Sequence, residues 1–207
     1  MKRRLFLSAL TLGAAVTPHA ARAGDAATFH AIDITGSAIG PDFQLSRSDG
    51  RPASMADFKG QYVMLFFGFT QCPDVCPTAL SRAVDIRKLL GKDGARVQVL
   101  FITVDPERDS AALLTEYMRA FDPSFLGLRG SAAQTAKAAA DFKIFYRKVA
   151  SGSSYTMDHT AITYVADAQG KIRLAMKHDQ TAQQCAADLR TLMRADSGAG
   201  FWTGLFQ

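Results

Sequence analysis

Cysteine is scarce in this sequence of 207 residues, which contains three: Cys72, Cys76 and Cys185. An odd number excludes complete pairing within the chain, and a chain of this length can be stabilised by burial without a disulfide scaffold. Beyond the first 23 residues, no apolar run is long enough to cross a bilayer, and no internal repeat is visible. The remaining 184 residues suffice for one well-buried domain.

The sequence also lacks a strong excess of one charge outside its N-terminus. The formal net charge is +5, but residues 1–23 hold four of the 24 basic side chains and none of the 19 acidic ones. The rest of the chain therefore carries 20 basic against 19 acidic side chains, a net charge of +1. This balance gives no support for nucleic-acid binding, so we expect no nucleic-acid partner.

Residues 1–23 have the three-part layout of an export signal peptide. A basic head at residues 2–4 precedes an apolar stretch at residues 5–16, and Ala21-Arg22-Ala23 has the small-x-small pattern of a cleavage site. The twin arginine followed by Leu-Phe-Leu also fits a twin-arginine signal, so either export route is open. We expect an exported protein of the bacterial periplasm, with tethering at the inner membrane through an uncleaved N-terminus as the alternative.

The rest of the chain divides by composition into three parts. Residues 24–40 are small, polar and contain glycine, which predicts a flexible linker. Residues 41–195 hold the hydrophobic patterns of a single folded domain, and residues 196–207 form a C-terminal tail that includes aromatic residues.

Between residues 41 and 195 the hydrophobic pattern predicts alternating strands and helices. Residues 62–69 and 97–104 are nearly continuous apolar runs, typical of strands buried on both faces. Further strands are predicted at 42–46, 125–128, 144–149, 161–165 and 172–175, and helices at 77–90, 110–121, 131–142 and 181–194. A Gly/Ser loop at 150–155 is expected to lead to His159. The order predicts a single α/β domain with a thioredoxin-like layout, in which helices flank a central mixed sheet.

Cys72 and Cys76 lie where the first buried strand is expected to turn into a helix. Their spacing of four places both sulfur atoms on one side of a starting helix, whose N-terminus lowers the pKa of a nearby thiol. Two thiolates on one face form a soft bidentate ligand that favours cuprous ion. The structural alternative is a disulfide, but closing so short a loop contributes only about 2 kcal/mol.

His159 is the best histidine candidate, since His19 lies in the signal, His30 in the linker and His178 in an expected solvated loop. On its sequence position alone, a structural role is favoured over a role as a ligand. Cys185 has the spacing of a core residue.

Four other side chains are open to a functional interpretation that we consider weaker than a structural one. Met157 could offer a thioether, but ordinary packing is the better interpretation. Asp105, Glu107 and Asp109 could suggest a carboxylate metal site, although capping and a solvated surface explain them better.

Three segments of the sequence resemble the signatures of the Sco/SenC family. The first is Phe-Gly-Phe-Thr-Gln-Cys-Pro-Asp-Val-Cys-Pro-Thr at residues 67–78, and the second is Phe-Ile-Thr-Val-Asp-Pro-Glu-Arg-Asp at 101–109. The third is Asp-His-Thr at 158–160, followed by an apolar strand. The similarity in order and spacing covers roughly residues 38–195.

The resemblance implies a thioredoxin-fold protein that binds copper, as Cu(I) and also as Cu(II), through Cys72, Cys76 and His159. It implies a metallochaperone whose acceptor is a cuproprotein, most naturally the binuclear copper centre of cytochrome c oxidase. A thiol reductant or another copper carrier would be further partners. Gln71 stands where many relatives have histidine, and the N-terminus looks cleavable where many relatives keep an anchor.

Other functions remain open beside copper delivery. Cys72 and Cys76 could act as a thiol-disulfide reductase that keeps the cysteines of the acceptor reduced, or the protein could be a redox or copper sensor. Reductases of this fold carry a cis-proline opposite the cysteines, but this chain has no proline after Pro123. A peroxidase would need an arginine beside its cysteine, and the nearest in sequence, Arg82, lies farther along the helix.

Overall fold

A computed structural model describes residues 28–203, so the predicted export signal and residues 204–207 of the tail lie outside the described residues. The strands are β1 (Ile32–Asp33), β2 (Leu45–Arg47), β3 (Pro52–Ala53), β4 (Tyr62–Gly68), β5 (Val97–Thr103), β6 (Leu126–Arg129), β7 (Tyr146–Ser151), β8 (Ser154–His159), β9 (Thr163–Ala166) and β10 (Ile172–Met176). The helices are α1 (Val75–Leu90), α2 (Ala111–Arg119), α3 (Ala132–Asp141) and α4 (Ala182–Thr203), and Met55–Phe58 and Gly91–Arg96 form short 3-10 helices.

Eight strands form one mixed sheet in the order β1-β10-β9-β4-β5-β6-β2-β3. The apolar strand β4 lies in its middle, where it pairs in parallel with β5 and antiparallel with β9. Every residue of β4 is buried, as its continuous apolar sequence predicts. Strands β9 and β10 correspond to the strands predicted at 161–165 and 172–175, and they pair antiparallel as a hairpin.

Helices cover the sheet and complete one hydrophobic core. Helices α1 and α4 pack against each other, and α2 packs against β6. Each helix contributes side chains to the same buried cluster, for example Leu80 of α1, Leu114 of α2, Ala138 of α3 and Leu189 of α4. This arrangement confirms the predicted α/β class and its thioredoxin-like layout with a central mixed sheet.

The prediction of a loop at residues 150–155 is wrong, because the structure has two paired strands there. Strands β7 and β8 pair with each other as a separate two-stranded sheet, from Tyr146 opposite His159 to Ser151 opposite Ser154. Gly152 adopts a φ of 58° at the tip, a conformation that suits the tight turn of a two-residue hairpin. The dipeptide Gly152-Ser153 is thus the two-residue turn of a hairpin.

Two boundaries of the packed domain also differ from the expectation. Strand β1 lies within the predicted linker at 24–40 and pairs antiparallel with β10, so the sheet begins before residue 41. Helix α4 continues to Thr203, into the expected tail. Within residues 28–203, no helix combines the length and the apolar character that crossing a membrane requires.

Candidate metal centre

The cysteine loop connects the end of β4 to the start of α1. Helix α1 begins at Val75, two residues earlier than predicted, so Cys76 lies in its first turn. Cys76 is fully buried, whereas Cys72 is partly exposed, and both are free thiols. A Cβ atom added at Gly68 would come within 2.7 Å of the Cys76 Sγ atom, so this strand end has room for the sulfur because residue 68 lacks a side chain.

His159 reaches the cysteine loop from the end of β8. Its Nε2 atom lies 3.6 Å from the Cys76 Sγ atom, and the ligand atoms of Cys72, Cys76 and His159 all lie within 4.8 Å of one another. Cys76 and His159 are 83 positions apart in sequence, and the fold brings them together, as the three-residue prediction requires.

The surroundings of the His159 ring favour one tautomer. Its Nδ1 atom lies 3.2 Å from the carbonyl oxygen of Thr160, so a proton on Nδ1 can be donated there. Nε2 then carries the lone pair that faces the sulfur atoms, which is the arrangement that metal-binding histidines use. The rings of Phe66 and Phe69 contact the imidazole edge-to-face, each with centroids 5.9 Å apart, and restrict its rotation.

The two thiols have opposite electrostatic environments. A hydrogen bond from Cys76, together with backbone N–H groups at the start of α1, lowers the pKa of Cys72 to about 3. The pKa of Cys76 is raised, because its thiol donates to the Cys72 sulfur and because it is buried. The two shifts therefore favour the thiolate at Cys72 and the protonated thiol at Cys76.

Asp109 is a buried residue whose role we misjudged from the sequence. Its carboxylate accepts hydrogen bonds from the backbone N–H of Thr70 at 3.1 Å and from the hydroxyl groups of Thr70 and Thr103 at 2.6 Å each. Asp109 is 0% exposed, so capping and a solvated surface do not describe it. The carboxylate instead fastens the cysteine loop to the end of β5.

Among the neighbouring acidic residues, Asp105 also differs from a solvated surface, whereas Glu107 agrees with it. Asp105 is 1% exposed and pairs with Arg108, whose guanidinium also donates to Gln71 in the cysteine loop. Glu107 is exposed, as predicted, and pairs with Lys148 on β7. Arg82 is the arginine nearest to the cysteines in sequence, but Arg108 contacts the cysteine loop from a different loop.

Neither Cys185 nor the other described histidines belong to this cluster. Cys185 is fully buried in α4, and Met157 is buried in β8, which agrees with packing roles for both. His30 contacts the buried carboxylate of Asp188 through Nδ1 at 3.0 Å. The carbonyl oxygen of His178 accepts a hydrogen bond from Arg82.

The three converging side chains form a soft donor set. Two sulfur atoms and one neutral imidazole suit cuprous ion, which prefers thiolate ligands and accepts low coordination numbers. Binding would deprotonate Cys76, so the metal would replace the hydrogen bond between the two sulfur atoms. Cys72 would keep one side of the site open toward solvent, because it is the partly exposed ligand.

Known structures with the same fold include two that contain copper. Copper-bound ScoI from Bradyrhizobium japonicum is 39% identical, with a TM-score of 0.68 over 75% of this chain and 99% of that chain. Copper-bound yeast Sco1 is 30% identical, with a TM-score of 0.69 over 76% of this chain and 90% of that chain.

Curated relatives match over most of the domain. The SCO2-like protein of Rickettsia felis is 39% identical over 136 residues, which is 64% of this chain and 66% of the relative. The mitochondrial SCO2 homolog of Mus musculus is 38% identical over 153 residues, which is 72% of this chain and 60% of the relative. The match therefore spans about two thirds or less of the length of these relatives.

The SCO1/SenC family model matches residues 33–194. This match runs from the last residue of β1 into α4, and it includes the cysteine loop, the loop after β5 and the β7–β8 hairpin. The chain belongs to the SCO1/SenC family.

Proposed function

We propose that the protein is a copper metallochaperone that holds one copper ion between Cys72, Cys76 and His159. The observation that carries the proposal is the convergence of two thiols and one imidazole, all within 4.8 Å, from segments 83 residues apart. The copper-bound relatives of Bradyrhizobium japonicum and yeast support copper as the metal. The soft donor set favours Cu(I), and Cu(II) is a second state that the site would accept.

The oxidation state of the two cysteines would control metal binding. Both sulfur atoms are ligands when the thiols are reduced, and oxidation to a disulfide would remove both from the metal. The partly exposed Cys72 would be the first ligand to exchange with an acceptor, since an incoming thiolate or imidazole can reach it from solvent. Cys76 and His159 would then release the ion in turn.

The acceptor in this proposal is a cuproprotein, specifically the binuclear copper site of cytochrome c oxidase, as the Sco/SenC resemblance implies. A thiol reductant would restore Cys72 and Cys76 after oxidation, and another copper carrier would supply the metal. An export signal at residues 1–23 would place the protein in the periplasm, where it would meet the acceptor at the inner membrane.

Copper binding by the reduced protein under anaerobic conditions tests the proposal. Wild type, Cys72→Ser, Cys76→Ser and His159→Ala would be titrated against a Cu(I)-specific chelator, with Cys185→Ser as the matched cysteine control and His178→Ala as the histidine control. We expect one ion per chain, lost in both cysteine variants and held at least about tenfold more weakly in His159→Ala, which corresponds to about 1.4 kcal/mol. Binding that is indifferent to all three site variants would overturn the proposal.

The opposite pKa shifts of the two thiols favour a thiol-disulfide reductase as a second function. A thiolate at Cys72 can attack a disulfide, and the buried thiol of Cys76 can then resolve the mixed disulfide. This activity does not need the imidazole as a ligand. Reduction of a model disulfide should therefore survive in His159→Ala if the reductase is the main function, and copper binding should fall in the same variant if the chaperone is.

A further inference from the structure

The hairpin that carries His159 does not belong to the main sheet. Strands β7 and β8 pair with each other, and an isolated two-stranded hairpin is at best marginally stable in water. His159 is the last residue of β8, so the position of its imidazole depends on what holds the hairpin against the domain.

Arg108, in the loop after β5, makes one of these connections, beside the buried Met157 and the Lys148–Glu107 pair. Its guanidinium donates to the carbonyl oxygen of Tyr155 at 2.7 Å and lies 3.6 Å from the centroid of the Tyr155 ring. The same group donates to the Oε1 atom of Gln71 at 3.0 Å. One side chain therefore contacts both β8, four residues before His159, and the cysteine loop, one residue before Cys72.

A buried carboxylate holds the guanidinium in this place. Asp105 accepts from the Arg108 Nε atom at 2.5 Å and from the Tyr155 hydroxyl at 2.9 Å. The Asp105 side chain is 1% exposed and that of Arg108 is 17% exposed, so solvent screens the pair less than it screens a surface ion pair. Asp105, Arg108 and Tyr155 form a closed set of contacts that fixes the hairpin in one orientation.

We propose that Arg108 is a positioning residue, which holds the β7–β8 hairpin over the cysteine loop and thereby keeps His159 within reach of the two sulfur atoms. The inference rests on the proposed copper site, because it assigns Arg108 a role through His159. Loss of the contact would let the hairpin sample other orientations, and the fraction of molecules with the imidazole at the sulfur atoms would fall. Lysine keeps the charge but lacks the planar group that contacts Asp105, Gln71 and Tyr155 together.

The first experiment measures the hairpin in the metal-free protein. Amide hydrogen exchange of residues 146–159 would be compared between wild type, Arg108→Ala and Arg108→Lys. Arg147→Ala is the matched control, because Arg147 lies on the same hairpin in an exposed pair with Asp158 that contributes little. We expect exchange in the hairpin at least about tenfold faster in Arg108→Ala, with β4 and β5 unchanged. Unchanged exchange in the hairpin would overturn the inference, whatever the function of the protein.

The second experiment is a double-mutant cycle on copper affinity with Arg108→Ala, His159→Ala and the double variant. Arg108→Ala should weaken Cu(I) binding about tenfold in the wild-type background and leave it nearly unchanged in the His159→Ala background. Nitrogen hyperfine coupling in the Cu(II) electron paramagnetic resonance spectrum should weaken in Arg108→Ala, because fewer molecules have the imidazole bound. Arg108→Lys should restore little of either property.

The outcomes separate the two proposals. Equal loss of affinity in both backgrounds would mean that Arg108 supports the fold in general, and would overturn the positioning role. The proposed function would be overturned if the wild-type protein held no copper, or if its copper affinity did not depend on His159. The hydrogen-exchange experiment would still decide the role of Arg108. If Arg108→Ala does not fold, Tyr155→Phe replaces it, since it removes the 2.9 Å hydrogen bond to Asp105 and keeps the ring. The amide hydrogen-exchange rate of the hairpin should also rise in Tyr155→Phe, and an exchange rate equal to that of wild type would contradict the inference.

Discussion

Replacing Gly68 with alanine tests whether the end of β4 sets the position of the Cys76 sulfur. The new Cβ atom would lie 2.7 Å from the Cys76 Sγ atom and 2.7 Å from the nearest ring atom of Phe101, while ordinary contact begins at 3.4 Å. The sulfur or the strand must therefore move by about 0.7 Å. Cys76 and Phe101 are both 0% exposed, so neither can move into solvent.

Gly68→Ala should lower both the stability of the protein and its affinity for copper. Overpacking a buried position typically lowers the free energy of unfolding by about 1–3 kcal/mol. A displacement of about 0.7 Å also exceeds the tolerance of about 0.2 Å on metal–ligand distances, so we expect Cu(I) affinity to fall at least about tenfold. Urea denaturation would measure the first effect, and competition with a Cu(I) chelator would measure the second.

Gly127→Ala is the matched control. Its Cβ atom would lie 3.0 Å from the Cβ atom of Leu114, which crowds the packing of α2 on β6 away from the cysteine loop. We expect a measurable loss of stability with unchanged copper affinity. If Gly68→Ala retained both the stability and the copper affinity of wild type, the sulfur would not be confined where the structure has it, and the reasoning would be refuted.

Three further predictions concern Asp109, Cys72 and Asp188. Asp109→Asn should lower the free energy of unfolding by about 2 kcal/mol and weaken Cu(I) binding, because the carboxylate accepts three hydrogen bonds at the cysteine loop; wild-type values in urea denaturation and chelator competition would contradict this. Iodoacetamide should modify Cys72 in the metal-free protein at a nearly constant rate from about pH 5 to pH 8, because its lowered pKa leaves the thiolate in place until the pH falls toward 3; a rate that rises through about pH 8.5, as for an ordinary thiol, would contradict it. Asp188→Ala should speed proteolysis before β1, because that carboxylate binds the backbone N–H groups of His30 and Ala31 at 2.8 Å each; mass spectrometry of the fragments would show the cleavage sites, and an unchanged digestion pattern would count against the attachment.

The central strands could be predicted from the sequence because their physical cause is local. The continuous apolar runs at residues 62–69 and 97–104 can be satisfied by burial on both faces, and β4 and β5 lie in the middle of the sheet. The proximity of the two cysteines could also be predicted from local sequence, because a strand that turns into a helix brings the side chains of Cys72 and Cys76 to the same side of the turn. The position of His159 could not be derived in this way, and it was the resemblance to a family that assigned it.

The misjudged segments share a different cause. Strands β8 and β1 are short elements whose residues, except Met157, are exposed or partly exposed, so their hydrophobic pattern is weak. Strand β1 is attached by its pairing with β10 and by the carboxylate of Asp188, which lies about 157 residues away in sequence. Such pairings depend on partners that no local window contains, which is why residues 24–40 looked like a linker.

The loop from Asp105 to Asp109 supplies no candidate ligand, yet the geometry of the candidate centre depends on it. Asp109 fastens the cysteine loop through Thr70, and Arg108 connects that loop to the hairpin of His159. In sequence, these acidic residues resembled helix caps, because alternating charges after a strand do not reveal which side chains point inward. The structure separates them by burial: Asp105 and Asp109 are nearly inaccessible, while Glu107 faces solvent. A metal site built from two distant segments therefore needs a third segment to hold them together. Here that segment is the loop from Asp105 to Asp109, so substitutions in this loop should alter metal binding although they leave every ligand in place.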